Sequence, residues 1–136
     1  MIDPLPEPVP DPDSQPFWDG LLQGEIRLQR CSACGTLRWP ARAICNRCAC
    51  FDAEWIASSG RALVSSWIRT HQVFAPAYRD RVPYVVVEVA LVDQAGIRML
   101  GGWLSDREPV VGEPVAPLFT RRESGTVVLD WAPRES

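Results

Sequence analysis

Apolar and polar positions along this chain change rhythm near residue 60. From Arg61 onward, five runs have strand character: 62–70, 84–92, 98–104, 114–119 and 126–131. Val85, Val86 and Val87 are β-branched, and Val89, Leu91 and Ile97 continue the apolar pattern. Asp93-Gln94-Ala95-Gly96 predicts a hairpin turn between the second and third runs, with Gly at the left-handed position. Glu123-Ser124-Gly125 predicts another between the last two. Gly101-Gly102 interrupts the third run, where a bulge or barrel corner is expected. The first connection, 71–83, is the longer one, and no long helical pattern follows residue 60. Five short antiparallel strands with a long first loop predict a small Greek-key barrel of the OB type; a small sandwich is the competing arrangement.

Before residue 60 the rhythm differs. Phe17, Trp18, Leu21 and Leu22 recur at helical spacing. Ser14 is placed to cap that helix, Pro16 falls in its first turn, and Gly24 stops it. An isolated helix this short is marginal in water, so something must cover its two aromatics and two leucines. Its own ribbon or barrel and a second protein are equally open as the cover. A short strand over 25–29 follows, then a hairpin over 36–44, the stretch 51–55, and a hinge at Ser58-Ser59-Gly60. Upstream, Pro4, Pro6, Pro8, Pro10 and Pro12 alternate among Asp3, Glu7, Asp11 and Asp13. That composition predicts an extended, disordered arm, either a solvated tail or one that orders on a partner. The expected organisation is mainly β: an arm over 1–13, a helix and metal-binding ribbon over 14–57, and a five-stranded OB-fold barrel over 58–136.

Composition narrows the function classes. The 136 residues suffice for one ordinary domain or two very small ones. No apolar run reaches the ~18 residues of a membrane span, so a membrane role is not expected. The start of the chain is acidic and proline-rich, unlike a secretory signal, and the expected location is cytoplasmic. All 14 basic residues are Arg, yet the net charge is −3 and the pI about 5.1. That sign opposes general binding to a phosphate backbone.

The strongest chemical signal lies in the ribbon. Cys31-Ser32-Ala33-Cys34-Gly35 and Cys45-Asn46-Arg47-Cys48 are two Cys-x-x-Cys pairs. Each such turn aims two thiolates at one point, and two turns complete the tetrahedron of a four-thiolate zinc site. Gly35 supplies the backbone freedom such a knuckle uses. Disulfides are the bland alternative, disfavoured in a reducing compartment. Iron in a rubredoxin-like site is another, because tetrahedral sulfur suits either metal. Cys50, the fifth cysteine, reads as a bystander. Four-thiolate sites leave no open position, so the expected role is structural, with one Zn2+ per chain. The filled site carries a net charge of about −2, which Arg30, Arg38, Arg42 and Arg47 are close enough in sequence to offset.

No catalytic constellation is visible. His71 stands alone, without a nucleophile motif or phosphate loop. Glu88, Asp93, Glu108 and Glu113 form no evident acid/base pair. A single-stranded nucleic-acid module is the runner-up, with Trp67, Tyr84, Trp103 and Phe119 as stacking platforms and Arg69 and Arg98 as charge. Strand aromatics are more often core. The apolar aromatics Phe17, Trp18, Trp39, Trp55, Phe74 and Tyr78 suit an interface with another protein. The Phe74–Tyr78 loop lies where OB folds engage ligands or partners.

These residues resemble a known family in which an N-terminal helix and rubredoxin-like zinc ribbon precede a C-terminal OB fold, associated with acyl-CoA metabolism. The resemblance rests on Phe17-Trp18 before Gly20-Leu21, and on Leu28-Gln29-Arg30-Cys31-x-x-Cys34-Gly35. It extends to Trp39-Pro40-Ala41-Arg42 before Cys45-x-x-Cys48, then Trp55, Ser59-Gly60 and Pro83-Tyr84-Val85, and covers residues 14 to 132. Trp39 stands where Phe is usual. The resemblance implies a non-catalytic accessory subunit of a thiolase-like enzyme (acyl-CoA synthase, acyltransferase, or retro-aldolase of steroid side-chain breakdown). A hotdog-fold enoyl-CoA hydratase is the alternative partner. Expected contacts with the partner or its acyl-CoA are Phe17, Trp18, Leu21, Phe74 and Tyr78; the expected metal ligands are Cys31, Cys34, Cys45 and Cys48.

Overall fold

The computed structural model describes residues 5–135; the part of the predicted arm formed by residues 1–4 lies outside them. The chain runs from one helix through a three-stranded ribbon into a closed barrel.

Helix α1 spans Gln15–Leu22, but its first turn is built differently from a Ser14 cap. The Ser14 hydroxyl accepts the Asp11 amide at 3.1 Å, and Asp11 Oδ1 accepts the Ser14 amide at 2.7 Å. This is a reciprocal capping box, displaced one turn upstream. The Ser14 amide and hydroxyl hold the Asp11 carboxyl below its usual range. Phe17 and Leu21 are 4% and 1% exposed and join the main apolar core. Phe17 meets Trp39 at 4.4 Å and Trp18 at 5.3 Å between ring centroids. The chain therefore covers its own helix. Phe17 and Leu21, expected as contact residues, are buried in the chain's own core, where α1 packs against the ribbon strand that follows and the last barrel strand. Trp18 stays half-buried and Leu22 is exposed.

The ribbon strands are β1 (Arg27–Cys31), β2 (Leu37–Arg38) and β3 (Ala53–Ala57), in the order β2-β1-β3. Both pairings are antiparallel, with Gln29 opposite Arg38 and Leu28 opposite Ile56.

The barrel strands are β4 (Ala62–Thr70), β5 (Tyr84–Leu91), β6 (Arg98–Trp103), β7 (Pro114–Arg121) and β8 (Val127–Pro133). They close in the order β4-β5-β6-β8-β7, which is the OB Greek key and not a sandwich. The expectation of wholly antiparallel strands needs one correction. β6 and β8 run parallel, Trp103 beside Trp131, because the Greek-key crossing returns β8 in the direction of β6. Of the two expectations at Gly101-Gly102, a bulge or a barrel corner, the bulge is absent: both glycines stay in register with Val87 and Val86, and pairing with β8 begins at Gly102. Gly101 leaves room for a neighbour, since a Cβ there would stand 2.7 Å from both Leu129 O and Trp131 Cδ1. The register shift falls instead between Val64 and Ser66 on β4. There the Ser65 hydroxyl donates to Glu88 Oε1 at 2.8 Å.

Ribbon, helix and barrel share one core. Ile26, Leu28 and Leu37 belong to the same buried cluster as Val87, Val89, Met99 and Trp131. The β5–β6 turn fastens the two parts. Gln94 accepts the Leu37 amide at 2.8 Å and donates to the Leu37 carbonyl at 3.0 Å, as a neighbouring strand would. Asp93 accepts the Ser58 hydroxyl at 2.8 Å and the Ser59 amide at 3.0 Å. Burial opposes charge on Asp93, but these serine donors outweigh it and hold the carboxyl below its usual range. In the arm, Pro6 O and Glu7 accept hydrogen bonds from Arg122 at 2.7 Å and Ser124 at 2.9 Å.

Candidate metal centre

Two knuckles of matching construction face each other at the end of the ribbon. In the first, the Gly35 amide donates to Cys31 O and the Cys31 amide to Thr36 O, both at 2.9 Å. In the second, the Ala49 amide donates to Cys45 O at 3.0 Å and the Cys45 amide to Cys50 O at 2.9 Å. Gly35 and Ala49 occupy equivalent left-handed positions, with φ of 76° and 64°. Such a position costs a non-glycine residue roughly 1 kcal/mol, so the second knuckle carries strain that the first avoids. Cys50 is the counterpart of Thr36, not of a ligand: its sulfur accepts the Asp52 amide at 3.4 Å.

The sulfurs of Cys31, Cys34, Cys45 and Cys48 lie within 4.8 Å of one another. Cys31 Sγ is 3.5 Å from Cys48 Sγ, and Cys34 Sγ is 3.7 Å from Cys45 Sγ. A zinc–sulfur bond of about 2.3 Å gives tetrahedral edges of about 3.8 Å, so the donor set fits a tetrahedral metal ion. Cys31 and Cys45 are buried, whereas Cys34 and Cys48 lie on the outer side. The Thr36 hydroxyl, 3.2 Å from Cys34 Sγ, and the Thr36 amide favour the thiolate and pull Cys34 down to about 6. At Cys48 the Cys50 amide pulls the same way, but Cys31, burial, Cys34 and Cys45 outweigh it and push this thiol up to about 12. Crowded thiolates repel one another, and a divalent cation at their centre removes that obstacle.

Around this centre the structure supplies residues that spacing did not single out. The Gln29 side chain, 7% exposed, accepts the Arg42 amide at 2.8 Å. Arg38 is buried and donates to Arg42 O, just upstream of the second knuckle, at 3.0 Å. Neither Gln29 nor Gln94 announces itself in sequence, because a glutamine's hydrogen-bond partner is chosen by tertiary placement. Arg38 was legible only as one basic residue among four near the cysteines.

The expected contact residues are not gathered in one place. Phe74 is 69% exposed on the β4–β5 loop beside exposed Val73. Tyr78 ends a single 3-10 turn, Pro76–Tyr78, and stacks on Tyr84 at 5.4 Å. Trp18 lines a groove of about 310 Å³ with Pro8, Pro10, Leu22 and Val127. His71 is exposed at the start of the β4–β5 loop.

The aromatics considered for base stacking face elsewhere. Trp103 is buried, Trp67 and Phe119 pack on the core, and Tyr84 is taken by Tyr78. The outward strand positions carry Ile68 and Leu100, 61% and 68% exposed. Arg69 and Arg98 are paired with Glu108 and Glu88. An aliphatic, charge-paired face does not suit a nucleic-acid strand. None of the helices among the described residues is long and apolar enough to cross a membrane.

Comparison with known proteins agrees with this architecture. Residues 18–53 match the model of the ChsH2 rubredoxin-like zinc ribbon domain, and residues 55–120 that of the ChsH2 C-terminal OB-fold domain. The chain is 34% identical over 127 residues to a probable enoyl-CoA hydratase alpha subunit of Thermomonospora curvata. It is also 34% identical over 121 residues to the 3-oxo-4,17-pregnadiene-20-carboxyl-CoA hydratase alpha subunit of Mycobacterium tuberculosis. These alignments take in 93% and 86% of this chain but only 35% and 37% of the relatives, so it spans about a third of their length. A solved chain of the Ltp2-ChsH2(DUF35) aldolase superposes with a TM-score of 0.83 at 27% identity, over 93% of this chain and 98% of that one. A DUF35-family protein of unknown function from Sulfolobus solfataricus shares the fold, with a TM-score of 0.63 at 20% identity over 90% of this chain and 86% of that one. With both domain models matched in tandem and the barrel closed in OB order, the chain belongs to the ChsH2 family, a rubredoxin-like zinc ribbon followed by an OB fold.

Proposed function

We propose that this chain is a non-catalytic accessory subunit of an acyl-CoA-processing enzyme of the thiolase superfamily, an acyltransferase or a retro-aldolase acting in steroid or lipid side-chain breakdown. The observation that carries this reading is the likeness to the Ltp2-ChsH2(DUF35) aldolase chain, which extends over 98% of that chain. Cys31, Cys34, Cys45 and Cys48 hold one Zn2+ per chain in a closed structural site. The metal fastens the two knuckles and leaves no coordination position for substrate. The subunit supplies shape and contact area, not an acid, base or nucleophile, and it meets acyl-CoA indirectly. Phe74, Val73 and Tyr78 on the β4–β5 loop, with Trp18 on α1, are the surface aromatic and apolar anchors suited to a partner enzyme. The placement is cytoplasmic.

A second reading has its own support. Both curated relatives are alpha subunits of hydratases, at 34% identity. In that case the partner is an enoyl-CoA hydratase, and the acyl-CoA is unsaturated.

Co-expression with the genes adjacent to its own, followed by affinity purification, tests both readings. The expected result is a stable hetero-oligomer with either a thiolase-like enzyme or a hydratase. Trp18→Ala and Phe74→Ala should weaken it without changing metal content. Recovery of the chain alone, with no effect on any neighbouring acyl-CoA enzyme, would refute the accessory role. Elemental analysis tests the metal: wild type and Cys50→Ser should hold one zinc, and Cys45→Ser should lose it.

A further inference from the structure

Arg38 is the one strongly buried charged side chain outside the cysteine cluster among the described residues, at 2% exposure. Buried guanidinium groups are ordinarily paired. No ion pair among the described residues includes Arg38. Its hydrogen bonds go to main-chain carbonyls instead: Nη1 donates to Arg42 O at 3.0 Å and Nη2 to Asp52 O at 3.5 Å. Nε has no partner.

Those two carbonyls bracket the second knuckle, Cys45 to Cys48. The Asp52 carbonyl also accepts the Ser32 amide, inside the first knuckle, at 3.0 Å. A single planar fork thus ties β2 to both flanks of one knuckle and, through Asp52, to the other. Arg suits this task because its donors are rigidly splayed and its charge persists at any working pH.

We propose that Arg38 is the positioning residue of the metal centre. Its fork, reaching the carbonyls on both flanks of the second knuckle, sets the separation of the two knuckles. The inference rests on the metal-centre reading given above. Outer-sphere partners of this kind govern how well ligands are pre-aimed, and their loss weakens metal binding about 10–100-fold.

The test uses the full chain loaded with Zn2+ or Co2+ and three variants. Arg38→Met removes fork and charge at similar volume. Arg38→Lys keeps the charge without the fork. Arg61→Ala is the control, because that arginine is exposed and lies just before β4, outside both knuckles. Zinc affinity is read by competition with a chromophoric chelator, the site's geometry by the Co2+ ligand-field spectrum, and the barrel by near-ultraviolet circular dichroism. Arg38→Met should lose about 10–100-fold in affinity and shift the cobalt spectrum while the barrel signal persists. Arg38→Lys should recover part of the loss, and Arg61→Ala should match wild type. Affinities and cobalt spectra indistinguishable from wild type in both Arg38 variants would overturn the assignment. If Arg38→Met does not fold, Arg38→Lys decides alone: wild-type affinity and spectrum overturn the proposal, weakened binding supports it. Failure of wild type itself to bind either metal removes the metal-centre reading first, an outcome distinct from wild type binding and the variants not differing.

Discussion

Replacing Gln94 with alanine should loosen the ribbon on the barrel while leaving each part folded. The Gln94 amide makes two hydrogen bonds to the main chain of Leu37, at 2.8 and 3.0 Å, across 57 residues of sequence. Leu37 is 8% exposed, so water replaces the lost partner poorly. At a net 0.5–1.5 kcal/mol for each neutral bond, the pair contributes about 2 kcal/mol. That corresponds to roughly a 30-fold rise in the population of the opened joint. Amide hydrogen exchange at Leu37 reads the event directly, since its N–H donates to Gln94. Its exchange should accelerate about 30-fold, while Val89 in the barrel core should keep its wild-type protection. Gln94→Glu should fall between, because a carboxylate still accepts the amide but has no N–H for the Leu37 carbonyl. Unchanged exchange at Leu37 in Gln94→Ala would show that the shared apolar core alone orients the ribbon.

The neighbouring carboxylate gives a pH dependence. The Asp93 carboxyl is held below 3.8 in the folded chain, so its contribution is complete above that value and disappears as pH falls below it. Asp93→Ala should lack that acid-sensitive component and lose about 1 kcal/mol near neutral pH, a modest figure because solvent screens the site; thermal melts across the acid range measure both. Gly101→Ala should destabilise the barrel by about 1–3 kcal/mol, since the new methyl would meet Leu129 O and Trp131, and chemical denaturation reads the loss. Phe17→Ala should cost about 3–5 kcal/mol in the same assay, whereas Trp18→Ala should cost far less and act on partner binding. Fluorescence anisotropy with a labelled single strand should show no tight, salt-sensitive binding; finding it would favour a nucleic-acid module over the accessory subunit.

The elements themselves were legible along the chain. Alternation of apolar residues placed all five barrel strands, with ends displaced by at most two residues, because a strand's two faces write themselves into neighbouring positions. Helical spacing found α1 for the same reason. The two Cys-x-x-Cys pairs located the four-cysteine cluster because each knuckle is a local turn whose geometry follows from four or five residues.

Tertiary structure alone decided which side of each element meets what. Phe17 and Leu21 read equally well as an interface or as core, since periodicity shows that a face is apolar without showing what covers it. The parallel seating of β8 beside β6 follows from the Greek-key path, and with it the close approach of Trp131 that requires glycine at position 101. Gln94 and Arg38 acquire their meaning from carbonyls and amides brought together by folding. Hydrogen bonds between side chain and distant backbone have no period, so residues 37 and 94 could be joined only by the closed barrel and the ribbon resting on it.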